Sequence, residues 1–150
     1  MATHKQPKGR KRALPRKHSS YKVFISHSSR DKWVAGQMAE KVAETGAEFW
    51  LDTRDLPGGG YIVEEIIQGI HECQEVIILF SPNSIGAGWI EFESGAARAK
   101  RKHLTAILNN VNYKKLPSSL SGKKHIELND FDQYLTELKK RIMKRMEKRK

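Results

Sequence analysis

Cysteine is almost absent from this 150-residue chain, with Cys73 standing alone. One thiol excludes an intramolecular disulfide and suits a reducing compartment, so a cytoplasmic location is expected. Long apolar runs are missing too. The run from Val76 to Phe80 counts five residues, against about 20 for a membrane-spanning helix, so no transmembrane segment is expected. The basic N-terminus has no hydrophobic stretch behind it, which argues against a secretory signal. Six histidines are scattered at 4, 18, 27, 71, 103 and 125 without His-x3-His or Cys-x2-Cys spacing, so no metal site is expected. The Gly-Lys-Ser/Thr of a P-loop, the Gly-x-Gly-x-x-Gly dinucleotide fingerprint and the Gly-x-Ser-x-Gly nucleophile elbow are all lacking.

Positive charge is abundant. The formal net charge is +11, and it is unevenly spread. Residues 1–20 hold seven Lys/Arg and no acid, and residues 139–150 hold eight with Glu147, so each end carries +7 and residues 21–138 carry −3. The chain reads as a basic disordered tail (1–20), one folded domain (21–138) and the basic end of a C-terminal helix (139–150). Neither basic end contains an aromatic residue. With no base-reading motif either, only weak polyanion binding by the tails is expected.

Along the folded part, hydrophobic periodicity alternates between strand and helix. Strands are expected at Tyr21–Ser26, Ala47–Asp52, Val76–Phe80, Leu104–Leu108 and His125–Leu128. Helices are expected from about residue 31 to Thr45, over Ile62–Glu72, from Trp89, and over Phe131–Lys148. Ser28 or Ser29 caps the first helix and Gly46 ends it. Ile62, Ile66, Ile67 and Ile70 are expected inward in the second helix, and Tyr134, Leu135, Leu138, Ile142 and Met146 in the last. Residues 109–124 have no clear pattern. The alternation is that of an α/β protein with a parallel sheet and right-handed crossovers. A phospho-acceptor domain of this class wants paired acids after the first strand. This chain has Ser26-His27-Ser28 there.

The helix after the central strand carries the most suggestive side chain. Trp89, Phe92, Glu93, Ala96 and Ala97 fall at i, i+3, i+4, i+7 and i+8, so they share one face. Four are apolar or aromatic and the fifth is a carboxylate. Glu91 is explained by the helix dipole. Glu93 is harder to dismiss, because burial penalises a charge and ligands of open α/β sheets bind beyond the strand C-termini.

Four stretches, in order and at consistent spacing, resemble a TIR (Toll/interleukin-1 receptor) domain, with bacterial members nearest in wording. They are Val23-Phe24-Ile25-Ser26-His27-Ser28, Phe49-Trp50-Leu51-Asp52, Asp55-Leu56-Pro57-Gly58-Gly59-Gly60, and Ile78-Leu79-Phe80-Ser81-Pro82 with Trp89 and Glu93. The third corresponds to the family's BB loop. The resemblance covers residues 21–130. It implies a flavodoxin-like five-stranded parallel sheet of order 2-1-3-4-5 with helices on both faces.

The resemblance also implies one of two functions. The first is cleavage of the nicotinamide–ribose bond of NAD+, as an NAD+ glycohydrolase or ADP-ribosyl cyclase in antiviral defence, yielding ADP-ribose or a cyclic isomer. The second is a noncatalytic scaffold that assembles through homotypic contacts. In the enzymes a glutamate of the third helix is catalytic, and the matching residue is Glu93. Substrate contacts carry over to Ser26, His27, Ser28, Trp50, Asp52 and Ser81, with Trp89 walling the pocket. Trp50 and Trp89 read equally well as core anchors. NAD+ would be the substrate and no further cofactor is implied. Homo-oligomers are implied as partners, in which one protomer's BB loop completes a neighbour's site, together with a separate sensor or effector protein. The chain departs from the pattern in its three BB-loop glycines and in lacking paired arginines after the first strand.

Overall fold

The apolar run Val76–Phe80 lies at the centre of a parallel sheet. The computed structural model describes residues 21–52, 62–120 and 122–148. The expected tail 1–20 and the loop Asp55–Tyr61 lie outside these residues. The elements are β1 (Lys22–Ser26), α1 (Lys32–Glu44), β2 (Glu48–Asp52), α2 (Ile62–Glu72), β3 (Glu75–Phe80), α3 (Gly88–Ala99), β4 (His103–Leu108), β5 (Lys124–Glu127) and α4 (Phe131–Lys148). The sheet order is β2-β1-β3-β4-β5 and every pairing is parallel. This is the flavodoxin-like arrangement expected.

Strand alternation divides the core in two. Val23, Ile25, Phe49, Leu51, Ile77, Leu79 and Ile107 face one way and pack with Met38 and Val42 of α1 and Tyr134, Leu138 and Ile142 of α4. Phe24, Val76, Ile78, Phe80, Ala106 and Leu108 face the other way and pack with Ile66 and Ile70 of α2 and Ile90 and Ala97 of α3. β3 is buried at all six positions because helices cover both of its faces. Gly46 ends α1 with φ of 100°, a left-handed conformation that suits glycine at this position. Gly69 lets α2 press on the sheet: a Cβ there would lie 2.9 Å from Trp50 Cε2 and 3.0 Å from Phe24 Cε2.

Several inward assignments need correction. Ile67 and Phe92 are exposed, as is Met146. In α2, Ile66 and Ile70 fill the inward line four residues apart, and Ile67 falls about 100° away from Ile66. In α4, residues 143–148 are all exposed, so the helix runs on past the core after Ile142. The unpatterned connection contains two single-turn 3-10 helices, Tyr113–Lys115 and Ser118–Leu120. Asn112 caps the first by accepting from the Lys114 N–H, and Leu120 is buried.

Glu75 is a buried acid that the periodicity did not single out. It lies at the first position of β3, fully enclosed. The Tyr21 and Tyr134 hydroxyls donate to it, and Arg141 of α4 donates through Nε (2.8 Å) and Nη2 (3.0 Å). Four donors on one carboxylate are enough to hold a charge inside a core. Burial and the Glu75 charge raise both tyrosine pKa values. Burial opposes the Arg141 charge, but the Glu75 hydrogen bonds and charge outweigh it and hold the guanidinium pKa above its usual value.

Candidate active site

The candidate site forms where β1 and β3 end. Ser26 is the last residue of β1 and is in register with Asp52, the last of β2. Two residues after Phe24, its side chain points to the face covered by α2 and α3. The buried line of α3 consists of Ile90, Glu93, Ser94 and Ala97. The inward stripe is therefore centred about one residue away from the expected one: Phe92 is exposed and Trp89 is half-buried, while Glu93 remains inward. The Ser26 hydroxyl donates to Glu93 Oε1 at 2.5 Å, and both side chains are fully buried. α3 is further tied to the second 3-10 turn, Ser118–Leu120, by Ser94, whose hydroxyl lies 2.5 Å from that of Ser119.

The neighbouring loops are pinned to one another. Ser81, directly after β3, donates from its hydroxyl to Asp31 Oδ2 at 2.6 Å, and Asn83 Nδ2 donates to Asp31 Oδ1 at 2.8 Å. Asp31 thus joins the loop after β1 to the loop after β3. The sequence signal for it was slight: Ser28-x-x-Asp31 has capping-box spacing, which speaks of a helix start and not of a bond to a distant strand. Ser28 accepts from the Arg30 N–H at 3.2 Å and caps a single 3-10 turn, Ser29–Asp31, that precedes α1. His27 is fully buried, and its Nδ1–H donates to the Ser28 carbonyl at 2.7 Å.

The structure therefore brings Ser26 and Glu93 into direct contact and places His27, Ser28 and Ser81 at the same edge of the sheet. Trp50 stacks on Phe24, with centroids 6.3 Å apart and planes 21° apart. Trp50 and Trp89 both pack against the α2–α3 core, so each has a structural role. Of Asp52, only the backbone position is described. Among the described residues, no three His, Cys, Asp or Glu side chains converge as metal ligands.

The profile of a known family, described as TIR domain, matches residues 23–142. The chain belongs to the TIR domain family. Individual TIR relatives span a wide range. Toll-like receptor 2 of Bison bison is 31% identical over 91 residues, which cover 59% of this chain and 12% of the receptor. The 2' cyclic ADP-D-ribose synthase BtTIR of Bacteroides thetaiotaomicron is 31% identical over 81 residues, covering 53% of this chain and 28% of the synthase. The matched TIR segment is thus a minor part of each relative. Among solved structures, a metazoan TIR-STING receptor from C. gigas superimposes with a TM-score of 0.58 at 24% identity, over 82% of this chain and 41% of the receptor. At that identity the likeness is one of fold.

Proposed function

We propose that this TIR domain cleaves NAD+ at the nicotinamide–ribose bond, with Glu93 as the catalytic carboxylate. The observation that carries the proposal is the buried Glu93 carboxylate, held by Ser26 at the C-terminal edge of a parallel sheet, where open α/β folds bind ligands. Burying an acid costs free energy that an apolar residue of the same size would not incur. The name of BtTIR, a cyclic ADP-ribose synthase, supports the same reading.

In the proposed reaction the C1'–N bond breaks and its electron pair passes to the nicotinamide nitrogen. The cationic ring leaves as a neutral molecule, so no general acid is needed. Positive charge develops on the ribose, as in glycoside cleavage. A fixed carboxylate in a water-poor site stabilises that charge more than solvent does. The Ser26 hydroxyl keeps the carboxylate aimed and accepts no charge itself. Water then attacks C1' and loses a proton, giving ADP-ribose; attack by a hydroxyl of the same molecule gives a cyclic isomer. Because Glu93 is fully covered, substrate enters only after the cover opens, so a conformational step precedes chemistry. Opening on assembly with a second copy fits this requirement, and His27, Ser28, Ser81 and Asp52 are proposed to contact the nucleotide.

A noncatalytic scaffold is the competing reading. It is favoured by the 31% identity to Toll-like receptor 2, which equals that to BtTIR. Incubation with NAD+ followed by chromatography separates the two. The wild type is expected to release nicotinamide with ADP-ribose or a cyclic isomer, and Glu93→Ala to release at least about a hundredfold less. Unchanged NAD+ at concentrations where the wild-type chain self-associates would establish the scaffold instead.

A further inference from the structure

The N-terminal edge of the sheet, opposite Glu93, holds a second feature. A groove of about 510 Å3 lies between the turn joining α3 to β4 and the last turns of α4. Seven of its ten lining residues are Lys or Arg, and none is acidic. Lys100, Arg101 and Lys102 come from the turn, and Lys144, Arg145 and Lys148 from one face of α4. Glu75 lies behind this wall, but Arg141 and two tyrosines already engage it. Among the described residues, no carboxylate pairs with Lys100, Arg101, Lys144, Arg145 or Lys148. Arg101 adopts a φ of 57°, a conformation that favours glycine. A cation therefore stands where backbone preference alone would select a residue without charge.

We propose that this groove docks the phosphate backbone of double-stranded nucleic acid, without regard to sequence. Like-charged side chains lining one concave surface repel each other until a polyanion neutralises them. Along α4, Lys144 to Lys148 spans about 6 Å, close to two axial phosphate intervals of one duplex strand at about 3.4 Å each. Single strands are bound by stacking bases on aromatic rings, and the only aromatic ring here besides His103 is Tyr21, which is buried with its hydroxyl on Glu75. A bilayer wants an apolar wedge beside the charges. The exposed Met143 and Met146 sit about 150° around α4 from the groove-facing cations. Protein partners favour aromatic anchors and pockets for them, which the groove also lacks.

The test is fluorescence anisotropy of the full chain with a labelled duplex of mixed sequence, from 50 to 200 mM salt. Lys144→Gln/Arg145→Gln/Lys148→Gln is expected to weaken binding at least tenfold and to flatten the log–log salt slope by about 2–3. That loss should persist when the seven Lys/Arg of residues 1–20 are changed to Gln, which separates the groove from the tail. Arg101→Gly should weaken binding while raising the melting temperature, which excludes unfolding as the cause. An unchanged affinity and slope in the triple variant would overturn the proposal. Tighter groove-dependent binding to phosphatidylserine vesicles or to polyglutamate would also overturn it, in favour of a membrane or an acidic protein. None of these outcomes depends on NAD+ turnover.

Discussion

Ser26 and Glu93 meet across 67 positions of sequence, and their contact is the smallest unit on which the functional reading stands. A hydrogen bond to a charged group contributes about 1.5–3 kcal/mol. Ser26→Ala should therefore lower stability by about 2 kcal/mol in urea titration. If the hydroxyl aims the carboxylate, the same variant loses about tenfold in kcat with KM little changed, a split that a purely structural role would not produce. Position along α3 made Glu93 visible in the sequence, whereas its surroundings were misassigned. The expected stripe held for Glu93 and Ala97, but Phe92 is exposed, and Ile90 and Ser94 complete the buried line instead. Helical spacing gives a face only to within about one residue, and aromatic side chains can sit at its rim. Arg101 offers an independent test of backbone energetics. Arg101→Gly should stabilise the fold by about 1 kcal/mol in thermal or chemical unfolding, because the left-handed φ penalises a Cβ.

At the scale of elements, α4 is joined to β3 by an ion pair as well as by apolar packing. Removing one partner of a buried pair leaves the other uncompensated and costs about 3 kcal/mol. Glu75→Gln should lower stability by about that amount in chemical denaturation, with Arg141→Met costing at least as much, because the charge it leaves behind on Glu75 is fully buried whereas Arg141 reaches the surface. The strands and helices were legible to within a residue or two, since period-2 and period-3.6 patterns with Gly and Pro punctuation mark their ends. Val76–Phe80 was the clearest, because few alternatives exist for a short β-branched run. Glu75 and Asp31 were not legible. Each bonds to residues at least 50 positions away, and periodicity contains no information about such partners. The two 3-10 turns escaped for a related reason, since a three-residue turn is too short to show a period.

For the whole molecule, the buried titratable groups fix how stability responds to alkali. Burial and then Glu75 raise the pKa of Tyr21 and Tyr134 above the ordinary 10.0, and burial pushes the Cys73 thiol from 9.0 up to about 12. A raised folded-state pKa means that the unfolded chain releases its protons first. Their contribution is fully present below about pH 9, and it is lost progressively as pH rises toward 12. The midpoint of urea unfolding should fall steadily over this range, and phenolate absorbance of Tyr21 and Tyr134 should appear only with unfolding. The sheet order was legible as a consequence of family resemblance, since periodicity gives the number of strands and not their neighbours. The basic groove at the edge of the sheet opposite Glu93 became apparent only once the chain was folded, because its residues come from four separate segments.

The most direct test of the central claim compares NAD+ binding and turnover in the wild type and in Glu93→Gln, which keeps the side chain's size and a hydrogen-bond acceptor for Ser26. The variant is expected to bind NAD+ with a dissociation constant within about threefold of wild type and to turn it over with a kcat at least about a hundredfold lower. Equal turnover in the two proteins would contradict it.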